Sequence, residues 1–184
     1  MNQSPSLGMV ETSNVVRGIE AADAMLKAAP VELVLNRTIC SGKYIVLVRG
    51  EVGGVLSSVA AGVERAADSV VDQMVLPHVH PAIVPALGNV CTPGKLDALG
   101  IVETFSIATL LEAADGAAKT SAIDFLELRL AMALGGKAFV TFTGTVASVQ
   151  AAVDAAAGIA RDKGMLVAAT VIARPRPEIV QDLI

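Results

Sequence analysis

The chain has 184 residues, of which 53% are hydrophobic, 17% charged and only 3% aromatic, with a formal net charge of −4. No apolar run approaches the roughly 18–20 residues of a membrane-spanning helix, and scattered basic residues under a negative net charge argue against a nucleic-acid partner. The N-terminus (MNQSPS) has neither the basic nor the apolar segment of a secretory leader, and two cysteines make no disulfide framework, so a reducing cytosol is the expected setting.

After a polar tail over residues 1–6, residues 6–12 read as a strand, and Ser13-Asn14 supply N-cap chemistry. Val15, Ile19, Ala22 and Leu26 recur at i, i+4, i+7 and i+11, which predicts one apolar helix face ending before Pro30. Residues 31–39 are rich in β-formers, Cys40-Ser41-Gly42 is a turn, and residues 43–49 are a second β run. Val52, Val55, Leu56, Val59 and Val63 predict another helix, and residues 70–76 a last strand. The succession β-α-β-β-α-β is the ferredoxin-like, split-βαβ arrangement. It then repeats: strand 101–104, helix 107–119, strands 125–132 and 138–143, helix 146–160, strand 165–172.

The second half is a copy of the first. Residues 7–29 (LGMVETSNVVRGIEAADAMLKAA) match 99–121 (LGIVETFSIATLLEAADGAAKTS) at ten of 23 positions under a constant shift of 92. From Gly42-Lys43 against Gly136-Lys137 the shift is 94, and from Val75 against Val171 it is 96. So long a period means a duplicated domain rather than a solenoid. The expected division is a tail (1–6), a first domain (7–88), a linker (89–98) and a second domain (99–184). The turn between the two central strands is two residues longer in the second repeat, which marks it as specialised. Domains this small bury little surface alone. Their Ala- and Val-rich faces predict packing into a stable oligomer.

Several motifs occur twice in order: a Leu-Gly-x-Val-Glu-Thr strand (from Leu7 and Leu99), a Glu-Ala-Ala-Asp-x-x-x-Lys helix (to Lys27 and Lys119) and a Gly-Lys strand start. With the closing Ile172-Ala173-Arg174-Pro175, they resemble those of the bacterial microcompartment shell proteins, in the tandem-domain (BMC-T) class, over residues 7–183. The resemblance implies two tandem BMC domains of α/β (α+β) class. It implies a flat homotrimer that imitates a hexamer and tiles edge to edge with other shell proteins, and a non-catalytic, structural role in a microcompartment shell. Thr38-Ile39-Cys40-Ser41-Gly42-Lys43 is similar to the corresponding segment of iron–sulfur members of this class, where the Cys lies at the central pore. A Pro follows that Cys there, and Ser41 stands in its place here. The resemblance thus implies one 4Fe-4S cluster per trimer, held by Cys40 of three chains, for electron transfer or redox sensing across the shell and possible traffic with encapsulated redox enzymes.

By the same resemblance the pore is lined by Cys40, Ser41, Gly42, Leu134, Gly135 and Gly136. Lys27, Lys119, His78 and Arg174 fall at the tile edge. Residue chemistry alone leaves alternatives open. Cys40 is also readable as a small buried thiol at a strand end, and the lysines as ordinary partners of a helix C-terminus. The glycines read equally as hairpin residues. His78 and His80 share a face if the segment is a strand, but no Cys or carboxylate adjoins them, and basic edge residues are the better expectation. Cys91, in the linker, reads as a free thiol. Glu11 and Glu103 are equivalent strand-end carboxylates with no His or Ser in their motif, and no phosphate-binding or nucleophile motif occurs. Two rivals to the redox pore remain at this level: a shell protein with an open, metal-free metabolite pore, and a ligand-sensing regulator of paired ferredoxin-like domains.

Overall fold

A computed structural model of the chain describes residues 5–88, 96–131 and 133–180. The first repeat folds as β1 (Ser6–Thr12), α1 (Val15–Ala28), β2 (Glu32–Thr38), β3 (Tyr44–Gly50), α2 (Val52–Ala66) and β4 (Val70–Leu76), followed by a short α3 (Ile83–Leu87). The second gives β5 (Ala98–Thr104), α4 (Ile107–Thr120), β6 (Asp124–Arg129), β7 (Ala138–Gly144), α5 (Val146–Asp162) and β8 (Leu166–Ala173), then α6 (Pro177–Val180). The expected β-α-β-β-α-β order holds in both.

Each repeat carries an antiparallel four-stranded sheet, ordered β2-β3-β1-β4 and β6-β7-β5-β8. The Leu-Gly-x-Val-Glu-Thr motif is one of the two inner strands of each, and the register repeats: Gly8 faces Val48 and Val75, while Gly100 faces Phe142 and Val171. A register shift recurs too, between Glu11 and Thr12 and between Glu103 and Thr104. Placing the motif in the middle of a sheet explains its composition, since β1 is buried along its whole length. A Cβ on Gly8 would lie 2.6 Å from methyls of both Val55 and Val59, so only glycine lets α2 pack this closely on β1.

By contact density the molecule forms two units. The first contains the chain up to Val79, with Ser106–Ala108 and Ala131–Gly136. The second contains His80–Phe105, Thr109–Leu130 and the chain from Lys137 onward. The first is centred on Val10, Met25, Tyr44, Val46, Val48, Val55 and Val59, where α1 and α2 cover one sheet face. In the second, Leu99 and Leu126 pack with Ile101 and Ile172, and α5 lies on its own sheet.

Three expectations need correction. The buried face of α1 is Gly18, Ala21, Ala22 and Met25, whereas Ile19 and Leu26 of the expected stripe are exposed, as is Val16. Ala22 of that stripe is buried and Val15 packs against the core, so the buried face is rotated from the expected one rather than opposite to it. Small Gly18 and Ala21 win because they allow closer approach, with Gly18 against Tyr44. The strand expected over 125–132 ends at Arg129 because Ala131 and Ala133 have left-handed φ values of 53° and 58°, which no strand accommodates. His78 likewise has φ 50°, so the His78–His80 spacing is not that of a strand. The short helices α3 and α6 were not expected. The 181–184 end of the repeat match and the linker core at 89–95, with Cys91, lie outside the described residues.

Candidate functional site

Cys40 opens a single helical turn, Cys40–Gly42, between β2 and β3, and is partly exposed. Ser41 and Gly42 both take left-handed φ values, 66° and 73°. For Ser41 that conformation costs about 1–2 kcal/mol. The donors to the sulfur come from the loop after β6, within the same unit. The Ala133 N–H donates to Cys40 Sγ at 3.0 Å, and the Cys40 N–H donates to the Ala131 carbonyl at 3.4 Å. Backbone N–H groups of Leu134 above all, then of Ala133, Gly135 and Gly136, hold the thiol below its ordinary value against the opposing effect of desolvation.

The loop achieves this through backbone conformation. Ala131, Ala133, Gly135 and Gly136 all have positive φ, the last two at 63° and 86°. Successive turns of this kind point amides into a common hollow that favours an anion. At Gly135 the space for a Cβ is open, so glycine there serves the conformation rather than clearance. The extra length of this second turn was the one sequence signal for its special role. Nothing in the sequence identified Ala131 or Ala133.

Beneath the turn lies a buried ion pair. Glu11, 0% exposed, meets Lys43 Nζ through Oε1 at 2.9 Å, and its Oε2 accepts the Ile107 N–H at 2.8 Å. Lys43 also donates to the Gly136 carbonyl at 3.4 Å. Beside it the Ser106 hydroxyl donates to Asp72. Glu11 is therefore a junction joining the end of β1, the turn before β3, the 131–136 loop and the start of α4. In the second unit, Glu103 pairs with Lys137 at 2.5 Å.

The remaining singled-out residues lie elsewhere. Lys27, 74% exposed, pairs with Asp23 at 2.6 Å, and Lys119 pairs with Asp115 at the same distance. Both are i,i+4 pairs written into the repeated helix motif. His78 and Arg174 are exposed and occupy equivalent positions with nearly equal left-handed φ, 50° and 49°. The His80 ring accepts the Ala82 N–H at 3.3 Å through Nδ1, and the backbone N–H of His80 donates to Asp115 at 2.7 Å.

Chemically, Cys40 offers a partly exposed sulfur biased toward thiolate, the form that ligates soft metals and iron–sulfur clusters. Among the described residues no three His, Cys, Asp or Glu side chains gather as a metal site. Each chain therefore presents one such ligand at this turn.

The BMC domain family model matches residues 6–79 and again 98–175. The chain is 38% identical, over 98% of both lengths, to the bacterial microcompartment shell protein PduT of Citrobacter freundii. Over 87 residues it is 46% identical to the carboxysome shell protein CsoS1 of Prochlorococcus marinus, covering 46% of this chain and 84% of that one. Among solved structures it resembles a microcompartments protein from Desulfitobacterium hafniense DCB, with TM-score 0.85, 50% identity and 96% and 98% of the two chains covered. The fused permuted hexameric shell protein MSM0275 shares the fold, with TM-score 0.67 over 86% and 84% of the chains at 18% identity.

Proposed function

From the chain's membership of the BMC-domain family of microcompartment shell proteins, we propose that this structural shell component is a homotrimeric tile whose three Cys40 thiolates hold one 4Fe-4S cluster at the central pore. Two BMC domains per chain make six in a ring of three chains, a pseudohexamer. The fold neighbour MSM0275 is itself described as a fused hexameric shell protein. The chain has no catalytic role on this reading.

One observation carries the ligand assignment: a single partly exposed sulfur per chain receives the Ala133 N–H and is held toward thiolate by the neighbouring amides. Cubane clusters are held by thiolates, and a three-fold axis turns one Cys into three. Cys40 would be the iron ligand, and the amides of residues 133–136 would offset its negative charge. Ser41, Gly42 and Leu134 would line the pore around it. When bound, the cluster would supply one-electron transfer between the two sides of the shell. Lys27, Lys119, His78 and Arg174 would meet neighbouring tiles, and encapsulated redox enzymes would be electron partners.

The test is anaerobic purification followed by iron–sulfide reconstitution. Brown protein with about four irons per three chains is expected, and Cys40→Ser should lose both colour and iron. Protein that stays colourless after reconstitution overturns the cluster and leaves a metal-free pore.

A further inference from the structure

The first repeat places Leu35 opposite Leu47, and Leu47 is fully buried. At the equivalent positions of the second repeat, shifted by 92 and 94, Glu127 stands opposite Thr141. The polar pair is buried all the same, with Glu127 8% exposed and Thr141 1%. Glu127 Oε1 meets the Arg129 guanidinium at 2.5 Å, and that guanidinium lies over the Phe139 ring, 5.4 Å from its centroid. Glu127 Oε2 and Thr141 Oγ1 are buried with no hydrogen-bond partner among the described residues. Thr143, two residues along the same strand and on the same face, shows the ordinary solution: its hydroxyl donates to the Ala98 carbonyl at 2.8 Å. A buried polar atom left unpaired costs folding free energy that a leucine pair does not, so the two oxygens call for a donor.

We propose that Glu127 and Thr141 form a buried site for one water molecule, which donates to Glu127 Oε2 and shares a hydrogen bond with the Thr141 hydroxyl. Size and charge select this ligand. Residues directly opposite on neighbouring antiparallel strands have Cβ atoms about 4.5–5.5 Å apart, so a group lodged between their outer atoms is no larger than a water. Arg129 already balances the Glu127 carboxylate. A cation added there would bury a net positive charge, whereas water is neutral and brings two protons. Buried waters typically make about three hydrogen bonds. The register shift between Phe125 and Glu127 takes backbone groups of Leu126 out of the ladder next to the pair, and these offer the third. The water ties β6 to β7, the strands that run into and out of the 131–136 loop. The site stands independently of the cluster and trimer readings.

The test compares the full wild-type chain with two variants. Glu127→Leu/Thr141→Leu restores the apolar pair of the first repeat. The near-isosteric Thr141→Val removes only the hydroxyl and keeps the test open if the double variant fails to fold. A wild-type crystal soaked in rubidium chloride should show a water within hydrogen-bond distance of both oxygens and no anomalous signal there. Oxygen-17 relaxation dispersion in solution should count one more long-held water per chain in wild type than in either variant. A rubidium peak at the site overturns water in favour of a cation. A direct Glu127–Thr141 hydrogen bond with no water between them, or equal water counts in wild type and both variants, overturns the site itself.

Discussion

The Ala133 N–H donates to Cys40 Sγ at 3.0 Å across 93 residues of sequence. A sulfur contributed by the first repeat is thus tuned by the backbone of a loop written in the second. The two turns have diverged: the second is two residues longer, and only the first carries the thiol.

With the N–H of Leu134 foremost among the groups favouring thiolate, Cys40 should alkylate at lower pH than an unperturbed cysteine, which titrates at about 8.5. In a cluster-free Cys91→Ser background, the iodoacetamide rate should reach half its maximum at lower pH in the folded protein than in urea. Equal midpoints would contradict the amide cradle.

Glu11→Ala should remove the buried carboxylate that balances the Lys43 ammonium and accepts the Ile107 N–H, at a cost of about 3–5 kcal/mol. Glu11→Gln keeps an acceptor for the amide and should cost less. Urea denaturation of the two variants against wild type measures the difference. Similar, small losses in both would show that the junction contributes little.

Gly8→Ala pushes a methyl to 2.6 Å from the stiff side chains of Val55 and Val59. It should destabilise the protein by about 1–3 kcal/mol, as overpacking does. Adding Val59→Ala should recover part of the loss, a coupling that a double-mutant cycle in urea would measure.

Lys27→Glu removes an exposed pairing with Asp23 worth at most about 1 kcal/mol, so fold and trimer should survive. If Lys27 meets neighbouring tiles, electron microscopy of concentrated protein should show sheets for wild type and none for this variant. Sheets formed equally by both would remove Lys27 from the edge.

Elements whose signal is local were legible in the sequence. Asn14 capped α1, Pro30 stopped it, and the Leu-Gly-x-Val-Glu-Thr repeat placed an inner strand twice. What failed depended on distant partners. The orientation of α1 turns on Gly18 fitting against Tyr44, a close approach that helical periodicity does not register, so Ile19 and Leu26 read as core although both are exposed. Cys40 and Gly42 were readable as a turn. The donors at Cys40 were not, since Ala131 and Ala133 owe their role to left-handed backbone that no alanine advertises.

The Glu11–Ile107 bond has a kinetic corollary. Its two halves share one polypeptide, so they meet at a concentration fixed by the tether and independent of dilution. A fall in protein supply therefore leaves this bond closed, and only unfolding of the first unit opens it.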